Sequence, residues 1–121
     1  MEIVLNSKLE KEEQVVAELS FLGISYLSRL SINSTVQPRV GWALLADLVR
    51  QPSSRVRSAT IALLLEHPEY SDQVPIAIKK LYTQNRLTLK LFYTAAVYLQ
   101  RIYFEDLKCI QGDRFSWLPD L

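Results

Sequence analysis

Residues 40–65 read VGWALLADLVRQPSSRVRSATIALLL, and this stretch decides the fold class. Two apolar segments with three- and four-residue spacing flank the helix-breaking run Gln51-Pro52-Ser53-Ser54. Such spacing predicts two amphipathic helices. Ser53 or Ser54 can cap the second one, because a serine hydroxyl accepts a free backbone N–H. We expect this helix over about residues 55–66, and its apolar stretch 59–65 predicts the most buried element of the fold.

A Val-x-x-Ala pattern followed by leucine occurs three times in the middle of the chain. The copies begin at Val40, Val56 and Val74, which is 16 and then 18 residues apart. That distance fits one helix and a short turn, so three successive helices would present similar inner faces. The pattern indicates a stacked helical array, and an irregular helical bundle explains it as well. Pro38 and Pro75 suit the first turns of the first and third of these helices.

The N-terminal segment extends the helical prediction. We expect a short lead-in over residues 1–6 and then a helix that starts at the capping box Ser7-x-x-Glu10. Gly23 lies within this helix and indicates a bend or a close helix contact. The apolar stripe of the helix is Val15, Val16, Leu19, Leu22, Tyr26, Leu27 and Leu30.

The C-terminal segment predicts one long helix from about residue 87 to 110, ended by Gly112. Its inward-facing positions are predicted to be Leu91, Ala95, Tyr98, Leu99, Ile102 and Leu107. Residues 113–121 form an apolar tail, and chain ends are loose unless they dock. The sequence therefore predicts a single all-α domain, residues 1–121, of about five stacked helices.

Composition limits the classes of function. The net charge of +1 gives no general attraction to nucleic acid or to anionic membranes. Residues 1–20 are net acidic and residues 21–101 net basic, so these parts either attract each other or form separate solvated faces. The single cysteine excludes an internal disulfide and a multi-thiolate metal site, and favours a reducing, cytoplasmic setting. No apolar run reaches the ~18 residues of a membrane span.

Residues 44–64 resemble a HEAT-type helical repeat. In such repeats a helix ends near a proline or aspartate turn, and a Val-Arg pair opens the next helix before Ala and Leu. Pro52, Val56-Arg57, Ala59 and Leu63 occupy those places. A weaker echo follows at Pro68, Val74 and Ala77, with Pro75 where arginine is expected, so the resemblance covers about residues 38–82. It implies a HEAT-like curved scaffold that binds another macromolecule.

Residues for catalysis are sparse. His67 is the only histidine and precedes Pro68 at a helix end, where a cation favours the helix dipole. Cys109 is predicted to be a half-buried, inert thiol, although the adjacent Lys108 can lower the pKa of a thiol modestly. The chain has no Gly-rich phosphate loop and no Glu-x-x-His pair. We therefore expect no enzyme activity, no cofactor and no metal.

Two surfaces remain as candidate sites. Surplus aromatic and apolar residues at the C-terminal end predict a protein-binding surface: Tyr103, Phe104, Phe115, Trp117 and Leu118. Arginines beside the turn at Pro52 and at the start of the second helix offer a phosphate-binding surface: Arg39, Arg50, Arg55 and Arg57. The predicted function is a non-catalytic protein interaction module or accessory subunit with a protein partner or a second copy. A nucleic-acid-associated regulator is the alternative.

Overall fold

The computed structural model describes the backbone of residues 2–24 and 39–121 and the side chains of residues 11–24 and 39–121. Within these residues the fold is all-α, as predicted. It has six α-helices rather than five: α1 Glu2–Phe21, α2 Gly41–Arg50, α3 Ser54–Glu66, α4 Val74–Lys80, α5 Thr83–Ile102 and α6 Phe104–Gln111. Two 3-10 turns, Pro68–Gln73 and Gly112–Arg114, precede α4 and follow α6. None of the helices within the described residues combines the length and apolar character needed to cross a membrane.

The N-terminal helix differs from its prediction at both ends. It begins at Glu2, so residues 2–6 of the expected lead-in are helical and Ser7 lies inside the helix. It ends at Phe21, because Gly23 adopts a φ of 91° that only glycine tolerates readily. The N–H of Ile24 then bonds the carbonyl of Leu19, which closes the last turn. The predicted stripe positions beyond residue 24 and Pro38 lie outside the described residues.

The centre of the fold follows the decisive stretch closely. Ser53 caps α3 by accepting the N–H of Val56, and α3 ends before Pro68, as the sequence predicts. The most buried helix is α2, not α3, because α2 has an unbroken run of buried residues over 44–49. It contacts every other helix except α6 within the described residues. A helix enclosed on so many sides cannot keep a solvated face.

The repeated Val-x-x-Ala pattern holds for two copies of three. Val56 and Val74 are buried together with the alanines three residues later. Val40 is 54% exposed, because it precedes α2 and is not part of its inner face. The three copies are therefore not structurally equivalent.

The C-terminal helix is two helices. At Tyr103 the backbone leaves the helical region, with φ −104° and ψ 27°, so α5 ends and α6 begins there. Glu105 and Asp106 lie in the first turn of α6, where acidic side chains favour a helix start. Gly112, with φ 57°, ends α6 as predicted. The break turns Phe104 toward the chain's C-terminal tail.

The inward face predicted for this segment is wrong. The buried positions of α5 are Leu89, Tyr93, Ala96, Val97 and Gln100, on the opposite side of the helix. Of the predicted positions, Leu91, Tyr98 and Ile102 are exposed and the others only half-buried. Both sets recur at three- and four-residue spacing, so periodicity alone does not distinguish them. The inner set packs chiefly against α3, and also against α2.

Candidate functional site

The C-terminal tail, residues 115–121, is docked along α5. Gln100 is 1% exposed, and its Nε2 donates to the carbonyl of Ser116 at 2.8 Å. Its Oε1 accepts the N–H of Leu118, also at 2.8 Å. The hydroxyl of Tyr93 donates to the carbonyl of Pro119. Two buried polar side chains of α5 thus satisfy the tail backbone, which fixes the tail on the helix.

Three aromatic rings pack where the tail meets α6. Phe104 stacks on Trp117 with centroids 4.8 Å apart, and Phe115 packs edge-on to both at 5.4 and 5.0 Å. The ammonium of Lys108 lies 5.6 Å from the centroid of Phe104. Each aromatic pair of this kind contributes about 1 kcal/mol beyond its buried area. The rings are therefore partners of one another within the chain.

The predicted protein-binding residues end up in different environments. Leu118 is 4% exposed and belongs to the core, so it does not offer a surface to a partner. Phe104 and Phe115 are half-buried. Tyr103 and Trp117 are each 53% exposed. The structure brings three of the five, Phe104, Phe115 and Trp117, into contact, and only Tyr103 and Trp117 present large areas outward.

An exposed apolar face lies along α5. We call the positions Leu87, Leu91, Thr94, Ala95, Tyr98 and Ile102 the outer face of α5. Its four large side chains are 58%, 62%, 60% and 69% exposed, and no described part of the chain covers them. The inner face of the same helix is buried, so α5 is apolar on two opposite sides. A helix that serves only a folded core has one such side.

Sequence reasoning found most of this face but assigned it to the core. Leu91, Ala95, Tyr98 and Ile102 were predicted to point inward. Leu87 was not singled out, although it lies one turn before Leu91 and has the same spacing. Gln100 does not separate the two faces in the sequence, because a glutamine looks unsuited to a core and is buried only since the tail satisfies its hydrogen bonds.

A shallow pocket of about 280 Å³ borders this face. Tyr98 and Val97 line it from α5, and Asp120 and Leu121 from the tail. Arg101 Nη2 lies 3.2 Å from Asp120 Oδ1 across the pocket, an exposed ion pair that contributes little stability. Tyr93, Thr94 and Arg101 complete its lining.

An ion network joins α1 to α2. Arg39 Nε donates to Glu18 Oε1 at 2.7 Å, and Arg39 Nη1 donates to Asp47 Oδ2 at 2.6 Å. Lys11 and Arg50 also reach Asp47, at 3.2 and 3.4 Å. Burial lowers the pKa of Arg39, but the hydrogen bonds to the two carboxylates outweigh burial and raise it overall. The acidic N-terminal and basic middle parts of the chain do attract each other here.

The candidate nucleic-acid residues are engaged within the chain. Arg57 Nη1 donates to the carbonyls of Gln51 and Pro52 at 2.8 and 2.9 Å, which fixes the turn between α2 and α3. Arg50 also donates to the carbonyl of Lys80 at 3.4 Å. Arg55 is exposed. Arg39 and Arg57 therefore hold structure, and Arg50 and Arg55 alone keep more of their side chains in solvent.

His67 and Cys109 occupy different settings. His67 Nε2 donates to the carbonyl of Leu22 at 2.6 Å, and its Nδ1 lies 3.2 Å from Glu69 Oε1, so the histidine ties the end of α3 to the end of α1. Cys109 is exposed on α6, not half-buried as predicted, because α6 packs through few of its residues. Among the described residues, no group of three His, Cys, Asp or Glu side chains is arranged to hold a metal ion.

Comparison with known proteins gives no relative. No family model, curated protein or solved structure matches this chain. The function of this chain is therefore inferred from its own surface.

Proposed function

We propose that this protein is a non-catalytic protein interaction module or accessory subunit, and that it binds through the outer face of α5. The observation that carries the proposal is the second apolar side of α5. Exposed apolar patches of about 300–600 Å² on a monomer are often functional. Tyr98, 60% exposed within the face, is an aromatic side chain of the type that dominates binding energy at protein interfaces.

The docked tail supports the same proposal. Because Gln100 and Tyr93 fix residues 116–119 on α5, the surface beside the outer face is preformed. A preformed surface loses little conformational entropy when it binds. The alternating helices α2 and α3, with Pro52 at their turn, support a HEAT-like character for residues 38–82, while the 3-10 turn before the short α4 departs from it.

A site-specific photo-crosslinker tests the proposal in cells. Placed at Leu91, it should form adducts with another protein molecule, whether a second copy or a different chain. The same group at Ser58, an exposed position of α3, is the control and should form far fewer adducts. Equal adducts at both positions, or adducts at Ser58 alone, would contradict the proposal.

Nucleic-acid binding is the weaker alternative, because Arg39, Arg50 and Arg57 all donate intramolecular hydrogen bonds. Retention on DNA or RNA that falls steeply with salt would favour it. In that case replacing Arg50 and Arg55 by Gln should flatten the salt dependence. We expect no specific binding near physiological salt.

A further inference from the structure

The large side chains on the outer face of α5 have a symmetric spacing. Leu87, Leu91, Tyr98 and Ile102 follow one another at four, seven and four residues. At 100° per residue they lie within about 60° of one another around the helix, so they form a single stripe. The stripe is about 22 Å long. The spacing of the four side chains is the same in both directions, and its midpoint falls between Thr94 and Ala95.

A two-fold dimer requires a surface that is complementary to itself. We propose, building on the function above, that two copies of this chain pair through the outer face of α5, with the two α5 helices antiparallel. Leu87 then packs against Ile102 of the partner subunit, and Leu91 against Tyr98 of the partner subunit. A surface shaped for an unrelated protein has no reason to place its anchors symmetrically about one point.

The residues at the midpoint suit a helix crossing. Thr94 and Ala95 are small, so two helix axes can approach to the usual 8–10 Å there. The hydroxyl of Thr94 already donates to the carbonyl of Lys90 at 2.8 Å. Burying Thr94 in the interface therefore leaves no polar group without a partner, which would otherwise cost about 1–3 kcal/mol.

Two cations flank the stripe. Between Leu87 and Ile102 the only charged residues are Lys90 and Arg101, and both lie on one edge of the stripe. Because like edges meet in an antiparallel two-fold pair, Lys90 lies beside Arg101 of the partner subunit. Arg101 is paired with Asp120 of its own chain, which offsets part of this repulsion. The pairing therefore leaves these cations at the solvated rim, and association is expected to strengthen as salt screens them.

The area is sufficient for a reversible dimer. With exposures of 58–69%, the four side chains present on the order of 100 Å² each. Leu121, which is 60% exposed beside Tyr98, raises the face to about 500 Å² per copy. The total of about 1,000 Å² is about the smallest area expected of a specific interface and fits a weak, reversible one. Association is therefore expected to depend on concentration.

Cysteine cross-linking tests the register directly. In a Cys109→Ser chain, which leaves no other thiol, single cysteines replace Leu87, Thr94 or Ile102. All three positions are exposed, so the core is unchanged. With a short bis-maleimide, Thr94→Cys should cross-link to itself. Leu87→Cys and Ile102→Cys should cross-link when mixed but not singly, because like positions lie about 22 Å apart in the antiparallel pair. Lys79→Cys on α4 is the exposed control and should not cross-link.

The outcomes separate this proposal from the broader one. A dimer in sedimentation that gives no cross-link between positions 87 and 102 uses another surface or register, and overturns the antiparallel pairing. A chain that stays monomeric at all concentrations overturns it too. In either case, photo-crosslinked adducts between position 91 and a different protein would still support the proposed interaction function. If no such adducts formed, the interaction function would be overturned together with the dimer.

Discussion

Replacing Gln100 by Leu tests how the tail is held, because this one side chain makes two hydrogen bonds to the tail backbone. The substitution removes the donor to the Ser116 carbonyl and the acceptor of the Leu118 N–H, each at 2.8 Å. The Leu118 bond is buried, so its N–H is left without a partner. An orphaned buried group costs about 1–3 kcal/mol, and the more exposed Ser116 bond about 1 kcal/mol. We expect the free energy of unfolding to fall by about 2–4 kcal/mol.

Urea unfolding and limited proteolysis measure the two consequences. The midpoint should fall, and the tail should become cleavable while the helices remain protected. Gln84→Leu is the matched control, because Gln84 is exposed on the same helix and should change stability by less than about 0.5 kcal/mol. A Gln100→Leu chain as stable as the control, with an intact tail, would refute the docking argument.

Three further predictions concern the ion network, the docked tail and the core. Arg39→Met should cost about 3 kcal/mol in urea unfolding, because it leaves the fully buried Glu18 carboxylate unpaired, and adding Glu18→Gln should recover part of the loss. Burial, together with nearby carboxylates, raises the pKa of Tyr93 above its ordinary 10.0. The protonated hydroxyl therefore contributes fully to the free energy of unfolding below pH 10, and this contribution is lost as pH rises through the raised pKa. In a Trp42→Phe chain, Trp117 fluorescence should therefore report release of the tail at high pH. Tyr93→Phe should loosen the tail already at neutral pH and should remove this change in fluorescence at high pH. Ala59→Asp should abolish a cooperative melt, because it puts an unpaired charge at a fully buried position.

Local signals in the sequence predicted the helices well where breakers were strong. Pro52 with Ser53, and His67 with Pro68, mark the bounds of α3 because serine caps and proline interrupts helices by local chemistry. Tyr103 carries no such signal. Glu105 and Asp106 favour a helix start after it, but they do not mark where α5 ends. The break coincides with the packing of Phe104 against Phe115 and Trp117 of the tail, a tertiary contact.

The candidate site was only partly predictable, for a different physical reason. The surplus of apolar residues on α5 is visible in the sequence, but which face is buried depends on what packs against it. Gln100 gives no sign in the sequence that its face is the buried one, because its burial depends on tail backbone groups distant in sequence. The sequence alone assigns Leu118 to a protein-binding surface, because nothing local in it shows that the tail docks and buries this leucine.

The central claim is that the outer face of α5 is a contact surface between protein molecules, first of all between two copies of this chain. Sedimentation velocity across a wide concentration range, on the unaltered chain and on Leu91→Lys, tests it most directly. The unaltered chain should move from 13.9 kDa toward twice that mass as concentration rises, while Leu91→Lys should remain at 13.9 kDa with an unchanged melting temperature. Ser58→Lys, at an exposed position of α3, should associate like the unaltered chain. A constant 13.9 kDa for the unaltered chain, or equal association of Leu91→Lys, would contradict the account.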